Sequence, residues 1–241
     1  MRRVLVIGGG TGIGRAIAHA FDDAGDHVII AGRRTGPLDE TAGGRDIAKA
    51  TADVADEASV AALFDKGAFD VVVANAGAGK PAPVRDMTLD DWRAALDVNL
   101  TGTFLTFREA LRAGMGPGGR LIATASTASL QGGADIASYV AAKHGVLGLV
   151  RSLAKEVARA TITCKAVCPG FVDTDMAEAA ITGVMERLSV PREQAEKMIV
   201  SDNPMKRLID PSEVAAAVIY LASPEAASVN GHALTVSGGE I

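Results

Sequence analysis

Tyr139 and Lys143 stand four residues apart in the run Ser138-Tyr139-Val140-Ala141-Ala142-Lys143. On a helix that spacing puts both side chains on one face, one turn apart. A free tyrosine titrates near pH ~10, and an ammonium alongside favours the phenolate and lowers that value. A phenol brought toward neutrality can hand a proton to a carbonyl oxygen or take one from an alcohol. The pair alone is a weak signal, because Tyr and Lys commonly fall one turn apart. Ser126 strengthens it, since it directly follows the apolar run Arg120–Ala125. A hydroxyl at a strand's carboxyl end can hydrogen-bond a substrate oxygen as charge develops there, a contact worth about 10²- to 10³-fold in rate. Ser126 reads equally well as a turn or helix-cap serine. His144, next to Lys143, would point elsewhere on the helix and reads as structural.

A second chemical feature lies near the N-terminus. The run Val4–Ile7 leads into Gly8-Gly9-Gly10-Thr11-Gly12-Ile13-Gly14 and then into helical Arg15-Ala16-Ile17-Ala18. Glycines allow a tight turn and close approach of a pyrophosphate, and the following helix start offers free N–H groups. The strict G-x-G-x-x-G spacing is absent, because Ile13 stands where its last glycine would fall; the spacing present is Gly8, Gly12, Gly14. The run His27–Ala31 ends in Gly32-Arg33-Arg34. A site for the unphosphorylated dinucleotide would place an acidic side chain there for the ribose 2′-hydroxyl. Two guanidinium groups instead suit a 2′-phosphate, although two solvated surface arginines would look the same. Asp53, after a third apolar run, is placed to accept a bond from an adenine amino group. The expected cofactor is NADP(H), with NAD(H) as the alternative.

These residues need a scaffold, and the pattern supplies one. Short runs rich in β-branched residues (Val4–Ile7, His27–Ala31, Ile47–Thr51, Asp70–Ala74, Arg120–Ala125, Thr161–Val167, Ala233–Val236) alternate with helical stretches. The stretches fall near Ile13–Ala24, Glu57–Phe64, Leu89–Ala113, Ala137–Ala160, Asp175–Ile199 and Pro211–Ala222. Alternation of this kind means βαβ units and a parallel sheet covered on both faces. The expectation is one α/β domain over residues 1–241, a doubly wound Rossmann sheet of about seven strands. A helical insertion near 175–207, broken by Gly183, Pro191 and Pro204, falls on the substrate side. Its Met176, Met185, Met198 and Met205 suit an irregular apolar ligand, though ordinary helix packing would also use them.

Bulk properties narrow the partners. Apolar residues make up 48% and charged residues 22%, with a net charge of −5, so no concentrated basic surface marks a nucleic-acid binder. No stretch approaches a membrane span, and a cytoplasmic location is expected. Cys164 and Cys168 lie four apart in a predicted strand, which points both to one face and too far apart for a disulfide.

Taken together, the chain resembles the short-chain dehydrogenases/reductases over nearly its whole length. The glycine turn is similar to their T-G-x-x-x-G-x-G, with Ile7 in place of threonine. Asn75-Ala76-Gly77 resembles their N-A-G segment, Asn99 their helix asparagine, and Pro169-Gly170-Phe171-Val172-Asp173-Thr174 their P-G segment. The resemblance implies a tetrad: Tyr139 as acid/base, Ser126 polarising the carbonyl, Lys143 tuning Tyr139 and binding ribose, and Asn99 holding a helix kink and a relay water. It also implies cofactor contacts from Gly8, Gly10, Thr11, Gly12, Ile13, Gly14, Arg33, Arg34, Asp53, Val54, Asn75, Ala76, Gly77, Pro169 and Gly170, with Val172 and Thr174 at the carboxamide. A homodimer or homotetramer through the helices of Asn99 and Tyr139 is implied as well. Gln131-Gly132-Gly133 and Lys143-His144-Gly145 look like 3-oxoacyl-thioester and polyketide ketoreductases. The expected activity is interconversion of a small-molecule ketone and secondary alcohol. The alternatives are an NAD-dependent alcohol or hydroxyacyl dehydrogenase and an inactive cofactor-sensing or scaffold protein. Ile7, Lys165 and Ser237 depart from the family pattern.

Overall fold

The computed structural model describes residues 1–241. Seven strands form: β1 (Arg3–Ile7), β2 (His27–Gly32), β3 (Ile47–Thr51), β4 (Val71–Ala74), β5 (Arg120–Thr124), β6 (Thr163–Pro169) and β7 (Ala233–Val236). They make one sheet in the order β3-β2-β1-β4-β5-β6-β7, and every pairing is parallel. This is the expected doubly wound sheet. The strand order reverses between β1 and β4, which opens a crevice at their carboxyl ends where ligands bind in such sheets.

Period-two alternation assigns each strand residue to a face. Leu5, Ile7, Val72, Ala74, Leu121 and Ala123 pack on one side, against α5 (Gly102–Arg112) and α6 (Ala137–Glu156). Val4, Val6, Val71, Val73 and Ile122 pack on the other, against α1 (Gly12–Asp23) and α9 (Pro211–Ala222). Both faces are covered over the central strands, so β1 and β4 are almost wholly apolar, whereas the edge strand β3 is largely exposed. Cys164 and Cys168 are free, buried and on the same face, as their spacing predicts. Burial pushes their thiols up to about 12 and about 11.

Three helical segments differ from the sequence reading. The stretch Leu89–Ala113 is not one regular helix: α4 (Leu89–Leu96) and α5 are joined by a π-helical turn at Asp97–Thr101. α2 (Thr35–Ala42) lies outside the predicted helical stretches and carries Pro37 near its start. Proline is tolerated in a helix's first turn, where its missing N–H has no intrahelical partner to lose. The insertion forms α7 (Asp175–Leu188) and α8 (Arg192–Ile199), parted at Ser189 and Pro191, while Gly183 sits inside α7 without breaking it. The remaining helix, α3 (Glu57–Ala62), is capped by the Asp56 side chain.

The three departures from the family pattern have structural settings. Ile7 is 1% exposed and joins the core. Lys165 is fully buried in β6 and donates to the carbonyls of Leu221 (2.7 Å) and Ala226 (2.6 Å), just where α9 ends. A cation there meets the negative end of the helix dipole. Burial, helped by Arg120, still holds its pKa down to about 8. Ser237 is buried, and its hydroxyl accepts from the Ile241 N–H at 3.4 Å, folding the C-terminal residues back.

Candidate active site

The glycine turn fills the space between β1 and its neighbours. A Cβ on Gly8 (φ +79°) would lie 2.7 Å from the Ala76 nitrogen, and one on Gly12 (φ +48°) 2.8 Å from the Thr174 methyl. Side chains therefore cannot stand at either position, and the turn, Asn75-Ala76 and the P-G segment close on one another. Asn75 Nδ2 donates to the Gly8 carbonyl at 3.1 Å. Thr174 stands at the N-cap position of α7 without a side-chain cap bond, and its hydroxyl instead donates to the Val172 carbonyl at 3.1 Å. Thr11 precedes α1 with extended backbone and no side-chain cap bond, leaving the first-turn N–H groups near Ile13 and Gly14 for a ligand.

Sequence reasoning missed two residues that steady this turn. Thr41 on α2 and Arg15 on α1 both donate to the Gly10 carbonyl at 2.9 Å, and Arg15 also bonds Thr41 (3.0 Å) and Glu40 (2.9 Å). The available signal was Arg15 directly after the last glycine. Arg33 and Arg34 follow β2 and are exposed, and neither forms an ion pair. Asp53 keeps one carboxylate oxygen on the Ala55 N–H at 3.0 Å. Val54 is buried under Gly102 and serves packing.

Asn99 lies in the π-helical turn, completely buried. Its Nδ2 donates to the carbonyls of Ala78 (2.6 Å) and Ala95 (2.8 Å), while its Oδ1 has no partner. That oxygen faces Gly77, where a Cβ would lie 3.0 Å from it and 3.6 Å from Lys143 Nζ. A buried acceptor without a donor is costly, and a π-turn often marks a functional position. The kink implied for Asn99 is thus this extra-wide turn.

Lys143 is 3% exposed, and its ammonium donates to the Thr124 carbonyl at 2.8 Å. Burial holds its pKa down to about 8. The ammonium lies 5.5 Å from the centre of the Tyr139 ring. The expectation that this cation lowers the Tyr139 phenol needs correction. Burial instead raises the phenol above its ordinary value, and the Ser126 hydroxyl is what pulls the other way. Ser126 has the cap role that the sequence allowed, and it also lies next to the phenol. It caps the short 3₁₀ turn Thr127–Ser129, accepting from the Ala128 N–H at 3.2 Å, and it stands beside Tyr139. His144 is exposed, with its ring on the Val140 carbonyl at 3.0 Å, away from this cluster.

A phenol, a hydroxyl and an ammonium at the carboxyl ends of β5 and β6, facing a glycine-lined dinucleotide crevice, define a nicotinamide-type oxidoreductase. Comparison with known proteins agrees. A family model described as enoyl-(acyl carrier protein) reductase matches residues 8–240. The chain is 36% identical to the 3-oxoacyl-[acyl-carrier-protein] reductase FabG of Vibrio harveyi, over 98% of this chain and 95% of that one. It is 32% identical to a 3β-hydroxysteroid dehydrogenase of Mediterraneibacter gnavus, over 98% and 93%. An actinorhodin polyketide ketoreductase variant crystallised with NADPH superposes with a TM-score of 0.93 at 36% identity, covering 99% of this chain and 96% of that one. The chain belongs to the short-chain dehydrogenase/reductase family and is an oxidoreductase. No helix is long and apolar enough to cross a membrane.

Proposed function

We propose that this chain is an NADP(H)-dependent ketoreductase that reduces a 3-oxoacyl thioester or a similar small ketone, with Tyr139 as proton donor. The observation that carries this reading is the grouping of Tyr139, Ser126 and Lys143 beside the unpartnered Oδ1 of Asn99. When bound, the nicotinamide supplies the hydride. Ser126 hydrogen-bonds the substrate oxygen, and Tyr139 delivers its proton there. Burial raises that phenol above its ordinary value, and the hydrogen bond with Ser126 opposes the rise. Lys143 holds the cofactor's ribose, and Asn99 Oδ1 accepts from a water that passes protons toward Lys143. The unpaired Arg33 and Arg34 suit a 2′-phosphate. The names of the relatives support the substrate class, and the steroid dehydrogenase among them shows how widely substrates vary in this family.

The family's habit of pairing through the α5 and α6 helices, together with half-exposed Phe104 on α5, supports a homodimer or homotetramer; the cytoplasm is the proposed location. Purified protein should oxidise NADPH in the presence of acetoacetyl thioesters, and do so faster than NADH. Preference for NADH would overturn the cofactor assignment. Turnover of only sugars or steroids would overturn the substrate.

A further inference from the structure

The C-terminal residues return to the site. Gly238 and Gly239 take positive φ (+63° and +92°) and pack against Asn203 and Pro204, in the segment that follows α8. Glu240 is thereby carried between the carboxyl ends of β5 and β6. Gln131 Nε2 donates to its Oε1 at 2.7 Å. Its Oε2 lies over Gly170, 2.9 Å from where a Cβ on that glycine would stand. Thr127, the residue after Ser126, is its other polar neighbour, and Asp202 is the nearby charge that acts on it. Neither Glu240 nor Asp202 has a lysine or arginine partner.

A carboxylate offers about four lone-pair positions, and Gln131 and Thr127 do not fill them all. The side chain is only partly buried, so its remaining positions are open to solvent, next to the residue that follows Ser126. Burial already moves this carboxyl above the ordinary glutamate value, and Asp202 adds to that, while Thr127 and Gln131 oppose it. A second negative group brought to the same place would raise the cost further.

We propose that Glu240 determines specificity, forming with Gln131 and Thr127 the wall of the substrate site beside Ser126 and selecting substrates whose polar arm carries a hydroxyl or other hydrogen-bond donor over those carrying an anion. This rests on the ketoreductase reading above and narrows its substrate class. The test uses two matched compounds, the acetoacetyl thioesters of 2-mercaptoethanol and of 2-mercaptoethanesulfonate. They differ in one terminal group, and the sulfonate stays ionised throughout. The unaltered enzyme should favour the hydroxyl compound in kcat/KM by about tenfold or more, chiefly through KM. Glu240→Gln should shrink that ratio by about tenfold. The unaltered enzyme's ratio should also shrink in mild acid as Glu240 takes a proton, whereas that of Glu240→Gln stays flat.

A purely structural role would lower both substrates together and leave the ratio unmoved. An equal ratio in the two enzymes, or a flat pH dependence in both, overturns the role of Glu240 while leaving the ketoreductase reading standing. Failure of the unaltered enzyme to reduce either thioester with NADPH overturns both.

Discussion

Lys143 and Lys165 invite comparison because burial treats them alike. Both are buried, both donate only to backbone carbonyls, and both are held down to about 8. They sit on opposite faces of the sheet. Lys165 closes the end of α9 with two short bonds and lies on the face packed by α1 and α9, away from the glycine turn. Lys143 makes one such bond, at the carboxyl edge, and shares its surroundings with a phenol and with the partnerless Asn99 Oδ1. A shifted lysine is therefore not evidence of chemistry by itself. The groups left unsatisfied around it make the difference, because they are what a ligand or water can complete.

The sharpest way to break this comparison is to remove each ammonium. Lys143→Met should lower kcat/KM by on the order of 10²-fold and weaken NADPH binding. Lys165→Met should leave kcat/KM within about threefold, since its side chain reaches only the end of α9. Comparable losses in steady-state assays of the two variants would erase the distinction.

A smaller effect is expected at the 2′-phosphate. Arg33→Ala should reduce the preference for NADPH over NADH by about tenfold or more, because a hydrogen bond to a charged group is worth about 1.5–3 kcal/mol. Comparing kcat/KM for the two cofactors before and after the change checks it, and an unaltered preference would return Arg33 to the status of a surface residue.

A further effect, outside catalysis, concerns stability. Each lysine is held at about 8 in the folded chain, below its ordinary 10.5. Below about pH 8 both states carry the charge, and the folded state bears the full cost of burying it. Between about 8 and 10.5 the unfolded chain holds more protons, so stability rises with pH across that window. Lys165→Met should flatten this rise by on the order of 2 kcal/mol, seen by chemical denaturation at pH 7 and pH 10. A rise of the same size in the variant would show that Lys165 is not the group responsible.

What could be read in the residues divides along physical lines. The sheet was legible because its central strands β1, β4 and β5 are dense, mostly apolar runs buried on both faces. The glycine turn and the Tyr139–Lys143 pair were legible because their chemistry depends on local spacing. The π-helical turn at Asn99 leaves no mark in composition, since it widens a helix by one residue, and only the family resemblance implied a kink there. α2 is short and carries a Gly-Pro pair in its first turn, a weak helical signal. Lys165 had no account from the sequence, because its two carbonyl partners lie 56 and 61 positions away. Glu240 lies 109 positions from Gln131, and only the fold brings them together. The direction of the Tyr139 shift was misjudged for a related reason: spacing reports the neighbouring charge but not the depth of burial.

The central claim is that the Tyr139 phenol gives its proton to the substrate oxygen. Tyr139→Phe keeps the ring and removes only the hydroxyl. Single-turnover assays of NADPH oxidation with an acetoacetyl thioester should show the reduction step slowed by about 10²- to 10⁴-fold, with NADPH still bound within about tenfold of its former affinity. An undiminished rate would contradict the account, because the proton would then have to come from another group.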